Sequence, residues 1–321
     1  MAGTRLLVGD IGGTHGRFAL ARADLRPERI GVEEGDAHPD FESALAAYLG
    51  KYDVKADTAA FAVAGPVTAG ETARVTNRRN WAFDVESLKR RFGLSRVIVM
   101  NDFVAQAAAL PHLTVDEIAP IGPAPRQIGG MKVAVGPGTG LGVAALAPEG
   151  PGWRPLPGEG GHVELAAVTG REWAAFELIR AELGRVEAEA VISGPGLLRL
   201  HRALAQLDGR EAKEADAAAI VLAARRGETR ALETVGLFLD MLARFCGDLA
   251  LTYAAEGGVY VCGGVAPKML DLIDPDAFRA AFEAKAPHEA LMRRMATTVV
   301  VSPVAGLLGC AAQARRLLAG E

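Results

Sequence analysis

Two aspartates stand where short apolar runs end, Asp10 in LLVGDIGGTHGRFAL and Asp102 in VIVMNDFVAQAAAL. A carboxylate at the end of a strand can take the proton of a hydroxyl group, and ligands of α/β sheets gather at strand carboxyl ends. Asp is also a preferred helix N-cap and turn former, so capping accounts equally well for either residue. Gly9, Gly12, Gly13 and Thr14 surround Asp10, and a second glycine-rich run, VAVGPGTGLGVAAL, carries Gly136, Gly138, Thr139 and Gly140. Glycine lets the main chain come close to a ligand, and converging backbone N–H groups bind anionic oxygens. A third group, LPGEGGHVEL, sets Glu159, His162 and Glu164 among glycines. H-x-E is not a recognised zinc spacing and no second histidine is near, which disfavours a metal site; a solvated loop is the plain alternative.

The elements that must carry these residues follow from periodicity. The first glycine run fits neither G-x-x-x-x-G-K-[ST] nor G-x-G-x-x-G, and the alternating RFAL after it reads as a strand, so the turn joins two strands. ERIGVEE is a weaker third strand, and DFESALAAYL is a helix with Phe41, Leu45, Tyr48 and Leu49 on one face. AAFAVAG is a buried strand followed by a hairpin-like segment ending RVTN. DVESLKRRFG is a helix with Asp84 as N-cap, RVIVM a strand, and DFVAQAAAL a helix stopped by Pro111. The order β, β, β, α, β, α, β, α predicts helices over a largely parallel sheet with one antiparallel strand inside it.

Residues 131–146 repeat the opening: apolar strand, glycine-rich turn with one Thr, apolar strand. A third strand near 151–156 follows, then a long helical stretch. The order resumes with GGVYVCGG at 257–264, a helix within 275–286, the strand TTVVV and a closing helix AGLLGCAAQARRLL. The chain thus reads as two similar halves, the second with a helical insertion. One such turn is commonly no more than a tight hairpin; two, each opening a similar half, suit a polyphosphate held from both sides.

Composition excludes several classes. A length of 321 residues with 50% apolar residues suits about two domains with their own cores. The formal net charge of −4 is scattered, leaving no basic patch for a nucleic acid or an anionic membrane. Cys246, Cys262 and Cys310 are far apart in apolar contexts and read as reduced and structural. With no signal-like start and no apolar run of membrane-spanning length, a cytoplasmic protein is expected.

GDIGGT, TNRRNWAF, MNDFVAQ, GPGTGLG, LPGEGGHVE, SGPGL and SPVAGLLG together span nearly the whole chain. In that order the sequence resembles the bacterial glucokinases, the group of the hexokinase and actin superfamily that lacks a zinc-binding cysteine cluster. The resemblance implies a duplicated ribonuclease-H-like α/β fold of two lobes around a cleft. The smaller lobe would be residues 1–112 completed by the helix at 303–321, and the larger 113–302. It further implies ATP, Mg²⁺ and glucose as ligands, glucose 6-phosphate as product, and a homodimer.

On that resemblance Asp102 is the general base and Asn101, Glu159, His162 and Glu189 bind sugar hydroxyls, each of which is both donor and acceptor. From the residues alone Glu187 is an equal candidate to Glu189. Asp10 is implied as the Mg²⁺ anchor, through water. Gly9, Gly12, Gly13, Thr14, Gly136, Gly138, Thr139 and Gly140 face the phosphates, and Gly263 and Gly264 face the adenosine. His15 and Gly16 depart from the Asn and small residue usual after GGT, and TNRRNWAF keeps Thr76, Asn77 and Trp81 around substituted positions. A kinase for mannose or an amino sugar is the nearest alternative. An ATP-driven switch without catalysis would not need Glu159, His162 and Glu189 together, and a sugar-sensing regulator would need a helix-turn-helix before Gly9.

Overall fold

The computed structural model describes residues 5–65, 67–68, 72–74 and 81–320. The chain divides into two compact units, one of Met1–Thr114, Pro148–Pro157 and Ser302–Glu321, the other of Val115–Ala147 and Gly158–Val301.

The first unit begins with strands β1 (Leu6–Ile11), β2 (His15–Ala21) and β3 (Pro27–Glu34), helix α1 (Phe41–Tyr52) and strand β4 (Thr58–Val63). Short strands β5 (Val67–Thr68), β6 (Thr72–Arg74) and β7 (Ala82–Asp84) form a small antiparallel sheet. Then come α2 (Val85–Phe92), β8 (Arg96–Asn101) and α3 (Asp102–Ala109). The main sheet has the order β3-β2-β1-β4-β8, with β1, β4 and β8 parallel and β2 antiparallel to its neighbours, as the alternation predicts.

Caps set the helix bounds. Asp40 accepts from Ser43 N–H at 2.7 Å and Asp84 from Ser87 N–H at 2.8 Å, while Gly93, at φ +65°, ends α2. One face of the sheet buries Phe18, Phe41, Phe61, Phe83, Tyr48 and Trp81, with the Phe41 and Phe83 rings stacked at 4.2 Å. Gly16, unexplained by sequence, is small because a Cβ there would lie 3.1 Å from both the Trp81 and Phe18 rings. Thr76 and Asn77 lie outside the described residues.

The second unit starts with β9 (Ile118–Ile121), β10 (Lys132–Pro137) and β11 (Leu141–Glu149). The chain continues through β12 (Gly152–Gly158), which falls in the first unit up to Pro157, and then α4 (Gly170–Leu183), α5 (Ala188–Val191), α6 (Gly194–Leu207), α7 (Ala217–Arg225) and α8 (Thr229–Tyr253). It ends with β13 (Gly258–Val261), α9 (Pro275–Glu283), α10 (Glu289–Met292), β14 (Thr297–Val300) and α11 (Ala305–Ala319), the last of which belongs to the first unit. The strand order β11-β10-β13-β14 repeats β2-β1-β4-β8, with matching parallel and antiparallel pairs. That repetition is the duplication expected from sequence. The edge strand β9, antiparallel to β14, was not expected.

Helix α8 buries Phe238, Met241, Leu242, Phe245 and Cys246, which makes it core. All three cysteines are free and buried, and burial pushes the Cys262 thiol up to about 12. Among the described residues no helix is long and apolar enough to cross a membrane.

Candidate functional site

In the first unit the polar residues collect at one end of the sheet. Asp10 pairs with Ala62 of β4, which pairs with Met100 of β8, and Asn101 follows directly. Asp10 and Asn101 therefore sit two strand spacings apart, roughly 10 Å, at the carboxyl ends of parallel strands. The sequence leaves open whether Asp102 caps the helix. The structure gives the cap to Asn101, whose Oδ1 accepts from Phe103 N–H at 2.9 Å; Asp102 is the first helical residue, its Oδ1 3.1 Å from the same N–H.

Gly12, Gly13 and Thr14 form the turn between β1 and β2, closed by Gly12 N–H donating to His15 O at 3.1 Å. Gly9 is inside β1, where a Cβ would lie 2.7 Å from the Phe61 ring, so packing alone requires a glycine there. The Asp10 carboxylate is a quarter exposed and lies 3.6 Å from Arg17 Nη1. Gly306 in the first turn of α11 brings that helix against it; a Cβ there would be 2.7 Å from Oδ2. Burial pushes the Asp10 carboxyl above its ordinary 3.8, and Arg17 opposes this. His15 faces Glu34 at 3.1 Å across the sheet edge.

In the second unit three segments meet at Leu141. The turn Gly138–Gly140 joins β10 to β11, with Gly138 N–H donating to Gly140 O at 2.8 Å. The loop through Glu159 and His162 lies flat on the start of β11. A Cβ on Gly160 would be 3.0 Å from Val143, and one on Gly161 would overlap the Leu141 carbonyl. The third segment brings Glu189, whose Oε2 accepts from Leu141 N–H at 2.7 Å, while Ser193 Oγ donates to Glu189 O and Gly194 N–H to Gly138 O, each at 2.8 Å. Gly263, at φ +81°, packs beside the same turn, 2.7 Å from Pro137 O by its would-be Cβ, with Gly264 open next to it.

Sequence reasoning left Glu187 and Glu189 as equals, and the structure separates them. Glu189 holds the turn, whereas Glu187 Oε1 lies 3.2 Å from His162 Nδ1. Each of His162, Glu187 and Glu189 brings one ligand atom within 4.8 Å of the others, a donor set that could hold a divalent ion and that the H-x-E spacing does not reveal. The two carboxylates already have partners in the protein. Glu187 is the extended residue just before α5, and Glu189 lies in the first turn of that helix. A groove of about 800 Å³ lies at the opposite end of the first sheet, lined by Arg5, Leu6, Arg29, Lys55 and Arg315, and contains none of these residues.

A family model described as Glucokinase matches residues 7–317. A protein named Glucokinase from Agrobacterium fabrum is 40% identical over 313 residues, 97% of this chain and 92% of its own length. The solved glucokinase from an Antarctic psychrotroph superposes with a TM-score of 0.86 at 34% identity, covering 98% of this chain and 99% of that one. A ROK family glucokinase from Streptomyces griseus, in complex with glucose and AMPPNP, shares the fold with a TM-score of 0.66 at 20% identity, covering 97% and 99%.

Proposed function

The chain belongs to the glucokinase family, an enzyme that phosphorylates glucose with ATP, and from that premise we propose how its residues divide the work. Asp102 takes the proton of the 6-hydroxyl as its oxygen attacks the γ-phosphorus in line, giving glucose 6-phosphate. Asn101, Glu159, His162 and Glu189 hold the other hydroxyls; a charged carboxylate accepting from neighbouring hydroxyls fixes both distance and direction. The turns at Gly12–Thr14 and Gly136–Gly140 offer N–H groups to the phosphates, and Gly263 and Gly264 flank the adenosine.

The observation that carries the sugar reading is the meeting at Leu141 of the glycine turn, the Glu159–His162 loop and Glu189. A loop with incidental polar residues would have no reason to lie against that turn with two glycines in place of side chains. Streptomyces griseus glucokinase holding glucose together with AMPPNP supports the same pair of ligands here.

Asp10 suits a Mg²⁺ ion. It is a single, partly exposed carboxylate at a strand end, in surroundings that make its ionised form costly without a cation. A bound Mg²⁺ there would supply charge neutralisation for the phosphates. Arg17 holds the carboxylate in place, and its Nη1 donates to Pro303 O at 2.7 Å. The proposal extends to a homodimer in the cytoplasm on the resemblance alone; equilibrium sedimentation and cell fractionation test the two.

Asp102→Ala, assayed for phosphorylation across glucose, mannose and N-acetylglucosamine beside the unaltered enzyme, tests the assignment. Loss of a positioned base lowers kcat by about 10²- to 10⁴-fold. A variant keeping most of its rate would remove Asp102 as the base, and faster turnover of another hexose would transfer the site to that sugar.

A further inference from the structure

We propose that Glu187 is a positioning residue that fixes the orientation and tautomer of His162, so that Nε2 is the atom presented to a sugar hydroxyl. The inference rests on the reading of His162 as a sugar ligand. Its physical basis lies in a short ladder. Leu165 N–H donates to Val186 O at 3.1 Å, Ala188 N–H to Val163 O at 2.9 Å, and Glu164 stands opposite Glu187. In this antiparallel register His162 is the diagonal neighbour of Glu187, within reach of its side chain.

The Glu187 carboxylate is held from two sides. Oε1 lies 3.2 Å from His162 Nδ1 and Oε2 accepts from Arg185 Nη2 at 2.5 Å. A carboxylate facing Nδ1 requires the proton of the neutral ring to sit there, which leaves Nε2 as an acceptor. An isolated imidazole rotates and exchanges its tautomers, so a ring half exposed to solvent, as His162 is, needs such a brace to present one nitrogen. The other acid grouped with the ring is Glu189, whose carboxylate is occupied by the Leu141 N–H, while Glu159 and Glu164 flank His162 in sequence. Glu187 is thus the acid that faces Nδ1, and Arg185 holds its other oxygen in place.

Glu187 stands at the N-cap of α5 without making a side-chain cap bond, so its replacement removes no helix cap. The test compares Glu187→Ala, Glu187→Gln, His162→Ala and the double variant Glu187→Ala/His162→Ala. Long-range ¹H–¹⁵N correlation reads the His162 tautomer, and steady-state kinetics read KM and kcat for glucose.

Glu187→Ala should shift His162 away from the Nδ1–H form and raise the glucose KM by roughly 3- to 10-fold, the weight of one hydrogen bond, with kcat within about 2-fold. Glu187→Gln keeps an acceptor oxygen for Nδ1–H and should restore both readouts in large part. On the His162→Ala background, removing Glu187 should add nothing, because it acts through the ring.

An unchanged tautomer in Glu187→Ala overturns the inference whatever the kinetics. A tautomer shift in Glu187→Ala with no rise in KM in either that variant or His162→Ala keeps the contact but removes His162 from the sugar site, and the role of Glu187 falls with it. Additive effects in the double variant also overturn the inference.

Discussion

Replacing Gly140 by alanine probes the tie between the Gly138–Gly140 turn and Glu189, proposed above to serve phosphate and sugar. A Cβ at Gly140 would lie 2.5 Å from Glu189 Oε2 and 3.2 Å from its Cδ. Carbon and oxygen settle at roughly 3.3–3.6 Å, so the carboxylate must retreat by about 1 Å. That movement breaks its 2.7 Å bond from Leu141 N–H. The backbone at Gly140 is not in the left-handed region and no other atom obstructs the new methyl group, so the fold survives and the side chain yields. A hydrogen bond to a charged group contributes about 1.5–3 kcal/mol. If that positioning is spent on the sugar, kcat/KM for glucose falls roughly 10- to 150-fold.

Gly138→Ala is the control in the same turn, because nothing lies within 4 Å of a Cβ there. Its glucose KM should stay within about 3-fold of the unaltered value, any loss appearing in the KM for ATP. The assay is coupled detection of glucose 6-phosphate over a matrix of both substrates. Glucose kinetics within 2-fold of normal in a folded Gly140→Ala enzyme would refute the tie. Equal losses in both variants would refute its assignment to Glu189.

Asp10→Asn is predicted to stabilise the protein while impairing it. Burial raises the folded-state pKa of Asp10 above 3.8, so the fold holds its proton to higher pH than the unfolded chain does. The ionised carboxylate therefore costs stability above that range, and the cost disappears as pH falls through the unfolded value. Thermal melts should show the variant melting above the unaltered enzyme at pH 8, the gap closing toward pH 4, with the KM for Mg-ATP raised; a lower melting temperature at pH 8 would contradict this. Gly9→Ala places a methyl group 2.7 Å from Phe61 Cδ1 and 3.2 Å from Phe18 Cδ1. Overpacking of that kind costs about 1–3 kcal/mol, read as a fall of several degrees in melting temperature, and an unchanged melt would mean that the rings move aside freely.

The framework was readable because its signals are local. A glycine turn between two alternating runs, β-branched runs before helices, and Asp84 with Gly93 around α2 each show in a short window, and their recurrence from residue 131 exposes the duplication. Strand β9 was hidden, because IAPI is four residues long and contains a proline, tolerated there only because the strand lies at an edge. Capping at Asn101 rather than Asp102 depends on one residue's backbone, φ −66° and ψ 148°, which two adjacent cap-forming residues cannot disclose. Glu187 and Glu189 look alike in sequence. They are told apart by partners 25 residues before one and 48 before the other, His162 and Leu141. Gly9 reads as a glycine facing phosphate and Gly16 only as a departure from the family pattern, yet their small size answers to Phe61 and Trp81, contacts that no spacing rule contains.

Helix α11 covers the face of the first sheet opposite the aromatic cluster: Leu307, Cys310, Ala311 and Ala314 lie against Leu6, Val8, Ala19, Ala60, Ile98 and Met100. Cys310 Sγ reaches Gly9 O at 3.3 Å across 301 residues of sequence. On the ribosome, β8 emerges some 200 residues before this helix, a delay of roughly 10–40 s at 5–20 residues/s. Throughout that interval α3, which gives Ala105 to the same cluster, lies on that side of the nascent sheet without its partner helix, and the earliest part of the protein to be made is among the last to be finished.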